Sequence, residues 1–450
     1  MADGRANGAA IERHPPGIAI LGATELAERF SYYGMTALLA LYMTKQLLLP
    51  GHAEHVVGLA ALRRAFEFRG TMSNVAFTSL IYGWYGGLVY FTPLAGGWLA
   101  DRVIGAKRTV ILGALLMSAG HLAMAFDQSF LLALMLLILG SGCLKGNLAA
   151  QVGTLYPRNA ESMRERGFTL FSTAINIGSV AGPLATGGFA ASNGFHAGFM
   201  LAAGLMLVAL VIYLGGQRWL PEPLLRRADR PVAIPLTADE KRRTLAIMAV
   251  IALNIPTAIC YPMIWSIGIL WIAEKVSLAS PFGTVPASWF NSVDSFASII
   301  VVPPLVALWA WQARRGVEPS SLTKLVIGFA ITGVSALFLT AGAMLPGAEG
   351  KISVLWPLAG FFGMGLGFMY YWPVSLALVS KAAPAKRAAT LMSSIYLALF
   401  VGTVVMGWVG SFYDQMSGAA FWTMDGAISL VGAVLTLAVR RPLERALAVA

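Results

Sequence analysis

Ten residues near the N-terminus read E-L-A-E-R-F-S-Y-Y-G and place two carboxylates, a guanidinium and two phenols in an otherwise apolar run. In a helix, Glu25 and Arg29 share one face. Tyr32 and Tyr33 follow on that face, and Glu28 flanks it. A charge at the centre of a bilayer costs about 2.5 to more than 10 kcal/mol, so these groups should face the protein interior or water. Three ionisable groups and two phenols converge here, and the pattern therefore favours a functional polar site. The alternative is a Glu–Arg pair that only fixes the helix to its neighbours.

A second charge lies in the middle of another apolar run, where G-S-G-C-L-K-G-N-L contains Lys145. The run extends over 130–156, so the ammonium is too deep to reach either surface with ease. A buried ammonium needs a carboxylate partner, and we expect Glu25 or Glu28 to supply it. Lys145 therefore belongs to the same predicted site.

Two more polar side chains are predicted at a similar depth, Tyr90 in the second helix and Asn176 in the fifth. With the first and fourth helices, four helices then contribute polar groups near the middle of the chain's apolar spans. This distribution predicts the wall of a polar cavity.

The elements that must position these residues follow from composition. Hydrophobic residues make up 57% of the 450 and charged residues only 12%, against about 25% in soluble domains. The mean hydropathy is +0.71, and apolar stretches of about 20 residues recur along the chain, each long enough to cross a bilayer. The chain is predicted to be an all-α polytopic membrane protein. The alternating ten-residue segments of a transmembrane β-barrel are missing from it.

Twelve helices are predicted, six on either side of a polar connection rich in proline and charge. Their ranges are 17–48, 72–99, 107–126, 129–156, 167–191, 195–219, 244–274, 287–312, 322–345, 352–380, 388–411 and 418–439. The corresponding domains are a tail (1–16), a six-helix bundle (17–219), a linker (220–243), a second six-helix bundle (244–440) and a tail (441–450).

The net charge of +11 is interpreted as a topology signal, because most basic residues fall in loops on the side of both termini. By the positive-inside rule both termini should be cytoplasmic and the protein should lie in the inner membrane. No nucleic-acid partner is predicted. Nothing in the sequence indicates an oligomer, so a monomer is expected.

Enzymatic chemistry has little support. The five histidines are scattered, no Ser/His/Asp set or H-E-x-x-H pattern occurs, and neither a metal nor a cofactor is predicted. Cys143 and Cys260 fall in different halves and are expected to be small buried side chains.

Three motifs together resemble the proton-dependent oligopeptide transporter (POT) family of the major facilitator superfamily. E-x-x-E-R-F-x-Y-Y-G in the first helix matches that family's signature at every specified position. G-G-W-L-A-D-R-V-I-G-A-K-R (96–108) resembles the superfamily's loop motif, and F-S-T-A-I-N-I-G-S (171–179) resembles the family's fifth-helix motif, with Ser172 in place of the usual tyrosine. The resemblance extends over about 17–412 and implies the major facilitator fold.

The resemblance implies two overlapping sets of functional residues. The proton-coupling set is Glu25, Glu28, Arg29 and Lys145. The peptide-binding set in the first half is Arg29, Tyr32, Tyr33, Tyr90, Lys145 and Asn176. Within it, Arg29 and Lys145 would hold the peptide's carboxylate.

The second half departs from the family pattern. The seventh helix carries Y-P-M-I-W (261–265) where an acid is usual, and Phe368 and Trp372 replace a glutamate and a serine of the tenth helix. In the eighth helix Asp294 replaces an asparagine, and it is the only carboxylate that we place well inside helices eight to twelve. We expect Asp294 to bind the peptide's ammonium group. The alternative is a structural acid that bonds to Ser292, Ser295 or Ser298, or one that is merely hydrated near the outer end of the helix.

The predicted function is proton-coupled symport of short peptides (di- and tripeptides) into the cell by alternating access. Two alternatives stay open: a proton-coupled carrier for another nitrogenous or amino-acid-like solute, and a membrane sensor that binds peptide without moving it.

Overall fold

The computed structural model describes residues 13–157, 160–221, 236–347, 350–384 and 387–447. These residues form α-helices and one short hairpin, β1 (Ala279–Ser280) with β2 (Gly283–Thr284). The helices are α1 (Gly17–Tyr42), α2 (Leu59–Phe66), α3 (Asn74–Phe91), α4 (Pro93–Leu99), α5 (Ala106–Ala123), α6 (Phe130–Thr154), α7 (Glu161–Asn193), α8 (Phe195–Gly215), α9 (Ala238–Leu253), α10 (Ile255–Cys260), α11 (Ile267–Lys275), α12 (Val293–Arg314), α13 (Ser321–Met344), α14 (Leu355–Ala382), α15 (Ala388–Gly410) and α16 (Gly418–Leu447).

Nine stretches of the described residues are long and apolar enough to cross a membrane, namely those built on α6 to α16. The helices that precede them, α1, α3 with α4, and α5, are equally continuous but less apolar. In α1 the reason is plain, because Glu25, Glu28 and Arg29 lie within a single turn. Composition alone therefore under-counts the spans where a helix carries functional groups.

The helices pack as two halves. In the first, α1 lies against α7 and α8, and α5 lies against α6; in the second, α13 lies against α14 and α16. The predicted all-α, polytopic fold with two helical bundles is confirmed.

Two predicted domain boundaries differ from the structure. α9 begins at Ala238, six residues earlier than expected, because Thr237 and Glu240 form a reciprocal capping box at its N-terminus. At the other end α16 continues to Leu447, well beyond the predicted limit at 440. The predicted linker lies outside the described residues over 222–235, as do the tail residues 1–12 and 448–450.

The connection between α1 and α3 contains a short helix, α2, that we did not predict. Arg63 on α2 organises it: its guanidinium pairs with Glu67 (3.0 Å) and donates to the Asn74 side chain (3.0 Å) and to the Met72 carbonyl (2.8 Å). A cationic side chain thus fixes the entry into α3.

The two halves meet closely at the end of the molecule opposite the termini. A Cβ atom at Gly83 of α3 would lie 2.6 Å from the Cα of Gly407 in α15. At the same end Ser73 donates a hydrogen bond to Asp414. We call the α3–α15 contact the glycine seam. It closes the far end because backbone meets backbone without intervening side chains.

The glycine seam gives a stability prediction. Gly83→Ala should lower the midpoint of thermal unfolding in detergent, because the added methyl group forces α3 and α15 apart; overpacking of this kind costs about 1–3 kcal/mol. Gly204→Ala is the matched control, since a Cβ there meets no described atom within 4 Å and alanine favours helix by about 1 kcal/mol. If the thermal unfolding midpoint of Gly83→Ala rises as that of Gly204→Ala does, the close contact between α3 and α15 is contradicted.

Candidate functional site

A cavity of about 610 Å³ lies between the two halves, within the usual range of ligand sites, about 300–1,000 Å³. Its first-half wall comes from α1, α3, α6 and α7, and its second-half wall from α10, α12, α14, α15 and the segments beside them. The sequence-predicted residues on this wall are Glu25, Arg29, Tyr32, Tyr33, Tyr90, Lys145, Asn176 and Asp294. Glu28 lies just behind it.

The three charged groups of α1 form one buried cluster. Arg29 Nε lies 2.8 Å from Glu25 Oε1 and 2.5 Å from Glu28 Oε2. Both carboxylates are at most 3% exposed, and Arg29 is 6% exposed. The helix itself produces this arrangement, because positions i and i+4 are neighbours on its surface. One guanidinium therefore pairs with two carboxylates. In the apolar interior, removing the guanidinium from the carboxylates would leave buried charges without a partner, which is costly.

Lys145 takes a different partner from the one we predicted. Its Nζ lies 4.0 Å from the ring centroid of Tyr32 and 6.0 Å from that of Tyr90. Within the described part of the chain, no carboxylate oxygen approaches Nζ to 4.0 Å. The predicted Lys145–glutamate ion pair is wrong for this conformation, because Arg29, on the same helix as both glutamates, already holds them.

The contact of Lys145 with an aromatic face leaves its charge only weakly compensated. Cation–π contacts contribute about 0.5–2 kcal/mol, less than a buried ion pair. Lys145 lines the cavity. Its ammonium group can therefore pair with an anionic group of a ligand, or with a glutamate carboxylate that Arg29 has released.

Small residues on α7 bring it close to α1 and so position the cluster. A Cβ at Gly178 would lie 2.7 Å from the Cβ of Arg29. About two turns further on, Thr186 Oγ1 donates to the Gly34 carbonyl at 2.9 Å. Asn176, two residues before Gly178, is thereby held on the cavity wall beside the cluster.

Asp294 is the acidic residue on the opposite wall. It lies in the first turn of α12 and is 2% exposed. Its Oδ2 accepts a hydrogen bond of 2.7 Å from the Tyr261 hydroxyl, and the Trp265 side chain and the Ser295 backbone N–H also donate to the carboxylate. Ser298 donates to the backbone carbonyl of Asp294, at 2.9 Å, rather than to its carboxylate.

Next to Asp294 the wall is aromatic. The Phe368 ring stacks on Tyr261, with centroids 5.0 Å apart and planes at 17°, and on Trp372 at 6.2 Å and 18°. Trp265 meets the Tyr261 ring edge-on at 5.1 Å. Phe368 thus packs between two aromatic rings and contributes no charge to this wall. Asp294 is the carboxylate that lines it.

Sequence reasoning missed one buried acid. Asp425 lies on α16 and is completely buried, so the statement that Asp294 is the only carboxylate deep inside helices eight to twelve is wrong. Cys260, expected to be a plain small side chain, donates its thiol to Asp425 Oδ2 at 3.3 Å. Asp425 is not part of the cavity wall. The sequence pattern around Asp425 is of the same kind as that around Asp294, a single acidic residue between two apolar runs, so Asp425 could have been identified from the sequence.

Two helical halves around a central, charge-lined cavity define a membrane transporter of the major facilitator type. A sequence model of the POT family (PTR2) matches residues 107–227 and 232–424. The chain belongs to this family, which confirms the resemblance of its motifs and places it among transporters rather than enzymes.

Individual relatives cover nearly the whole chain. The di-/tripeptide transporter of Lactococcus lactis subsp. cremoris is 28% identical over an alignment of 497 positions that spans 95% of this chain and 96% of the relative. Peptide transporter YePEPT of Yersinia enterocolitica is 27% identical, with 94% of each chain covered. Among solved structures, a mutant of peptide transporter POT in complex with alafosfalin has a TM-score of 0.83 and 26% identity, and the match covers 97% of this chain and 96% of that one.

The shared guanidinium gives a prediction that is independent of transport. Arg29→Gln leaves two carboxylates without a cation, and removal of one partner from a buried ion pair costs about 3–5 kcal/mol. Unfolding of the purified protein should show this loss, and adding Glu25→Gln and Glu28→Gln should restore most of it.

The control is Arg242→Gln. Arg242 pairs with Asp239 at 3.4 Å on the surface, so its loss should change stability by less than about 1 kcal/mol. A triple variant that is as unstable as Arg29→Gln alone would show that Arg29 stabilises the fold by some other contact.

Proposed function

We propose that this protein is a proton-coupled symporter that imports di- and tripeptides by alternating access. It would act as a monomer in the inner (plasma) membrane with both termini in the cytoplasm. The observation that carries the proposal is the distribution of charge in the cavity. Arg29 and Lys145 are on one wall together with Glu25, and Asp294 is on the other. When a glutamate of the first wall is protonated, this arrangement suits a zwitterion with a carboxylate at one end and an ammonium group at the other.

At the first wall, the two cations differ in a useful way. Arg29 presents a planar fork that suits a carboxylate, whereas Lys145 supplies a mobile point charge. Tyr32 and Tyr33 lie beside both, their rings 5.3 Å apart, and Asn176 adds an amide. The named activity of the Lactococcus and Yersinia relatives supports a peptide as the ligand.

Proton coupling is assigned to the α1 cluster together with Lys145. With both glutamates ionised, Arg29 is engaged by two carboxylates. Protonation of Glu25 or Glu28 removes one of these anions and releases positive charge to the cavity for the substrate carboxylate. Groups coupled this tightly titrate as a set, so the proton belongs to the cluster rather than to one residue. A proton entering down the membrane potential supplies about 2.3 kcal/mol per 100 mV.

Alternating access requires the cavity to open at either end in turn. In this structure the glycine seam closes the end opposite the termini. With the basic residues of the connecting loops concentrated at the terminal end, the positive-inside rule assigns that end to the cytoplasm. This conformation is then the one closed to the outside.

The direct test is uptake of labelled dialanine into proteoliposomes under an imposed inward proton gradient. Accumulation above the external concentration that a protonophore abolishes is the expected result. Uptake of an amino-acid-like solute but not of dialanine would favour the first alternative. Saturable binding without uptake of either would favour a sensor.

Neutralising both glutamates tests the coupling. Glu25→Gln with Glu28→Gln should remove gradient-driven accumulation but spare counterflow exchange of peptide, because exchange needs no net proton movement. A double variant that still concentrates dialanine about tenfold would place the proton site elsewhere, and Asp294 would be examined next.

Asp294→Asn tests the ammonium site, since the change is nearly isosteric and removes only charge. A hydrogen bond between charged groups contributes about 1.5–3 kcal/mol, so the apparent affinity for dialanine should fall about 10- to 100-fold. N-acetyl-dialanine, which has no ammonium group, is the matched substrate and should be almost unaffected. Equal losses for both substrates, or none for either, would rule out this role.

A further inference from the structure

Ser79 on α3 carries a buried hydroxyl group that the fold leaves without a partner. Its side chain is 0% exposed, and its Oγ has no hydrogen-bond partner among the described residues. A buried hydroxyl in this position has given up its hydrogen bonds with water and has gained none in return. It therefore opposes the packing that buries it.

Other buried hydroxyl groups of the helices avoid this loss by bonding locally. Thr332, Ser335 and Thr436 each donate to the backbone carbonyl four residues earlier, at 2.7–3.0 Å. This is a common arrangement for serine and threonine inside a helix. Ser79 makes no such bond with α3.

The Ser79 hydroxyl lies against a helix of the other half. A Cβ atom at Gly410 of α15 would overlap Ser79 Oγ and would lie 3.1 Å from the side chain of Ile267 in α11. Earlier on α15, a Cβ at Gly407 would lie 2.7 Å from the Ser79 carbonyl oxygen. The hydroxyl is therefore enclosed in the glycine seam between the two halves, against glycine backbone and an isoleucine side chain.

The rim of the same seam has the opposite kind of polar contact. Ser73, the N-cap residue of α3, donates to Asp414 of the second half, and both residues are exposed. Water can replace this bond when the halves separate, so the contact changes the balance between conformations little. Ser79 differs, because closing the seam removes its water and supplies no partner.

We propose that the Ser79 hydroxyl opposes closure of the outer end and so makes the outside-closed conformation easy to leave. When α3 and α15 separate, water reaches the hydroxyl and restores its hydrogen bonds. A group shifts a conformational equilibrium only through a difference of this kind between the two states. Resting on the proposed alternating access, the inference adds a residue that sets its balance from outside the cavity wall.

Ser79→Ala removes the hydroxyl and keeps a small side chain. In the absence of peptide, the ratio of outside-closed to outside-open protein should rise about 5- to 30-fold, the scale of one buried group that is no longer unpaired. Spin labels on Ala61→Cys and Gln415→Cys, two exposed positions at the outer ends of the first and second halves, report this ratio as a distance distribution. The natural Cys143 and Cys260 are buried and should not take the label.

The matched control is Ser31→Ala. Ser31 is equally buried and donates to the Ala202 carbonyl at 2.6 Å. Both residues belong to the first half, so the loss of this bond should lower the thermal unfolding midpoint and leave the label distances unchanged.

If the wild type is already fully closed, the effect of Ser79→Ala appears as a higher thermal unfolding midpoint. This rise should exceed that of Ser172→Ala, an exposed serine of α7 that measures the helix preference of alanine alone. An unchanged distance distribution, together with a midpoint that rises no more than that of Ser172→Ala, would overturn the proposal.

Uptake of dialanine by the wild type is measured separately and tests symport. The label distances are recorded without peptide or a proton gradient. The role of Ser79 can therefore fail while transport stands, and transport can fail while Ser79→Ala still shifts the balance.

Discussion

One guanidinium held by two carboxylates in the apolar interior is the interaction on which the rest of this structure depends. The Arg29 cluster cannot face lipid, so α1 must turn it inward, and the small residues of α7 allow the two helices to pack tightly around it. Two anions on one cation also leave a net negative charge. A second cation, Lys145, lines the same cavity and contacts the Tyr32 ring rather than either carboxylate.

The opposite wall is organised by a different constraint. Where the family usually places an acid in the tenth helix, Phe368 is stacked between Tyr261 and Trp372 and contributes no charge. The hydroxyl of Tyr261 holds Asp294 instead. The carboxylate of this wall therefore lies at the start of α12.

Contacts between residues that are close in the sequence could be predicted, and contacts that depend on the packing of distant helices could not. The Glu25–Arg29 contact follows from helical spacing alone, and the capping box at Thr237 was equally readable from T-A-D-E, although we placed the start of α9 too late. The partner of Lys145 could not be predicted, because several cations compete for the same carboxylates and only packing decides between them.

The central claim is that peptide and proton cross together through the Arg29 cluster and Lys145. The most direct measurement follows luminal pH in proteoliposomes with no pH gradient and no membrane potential when dialanine is added outside. Peptide moving down its own gradient should carry protons inward and acidify the lumen, and Lys145→Ala should abolish this signal in a protein that still folds. Peptide entry at an unchanged luminal pH in the wild type, or full acidification by Lys145→Ala, would contradict the account.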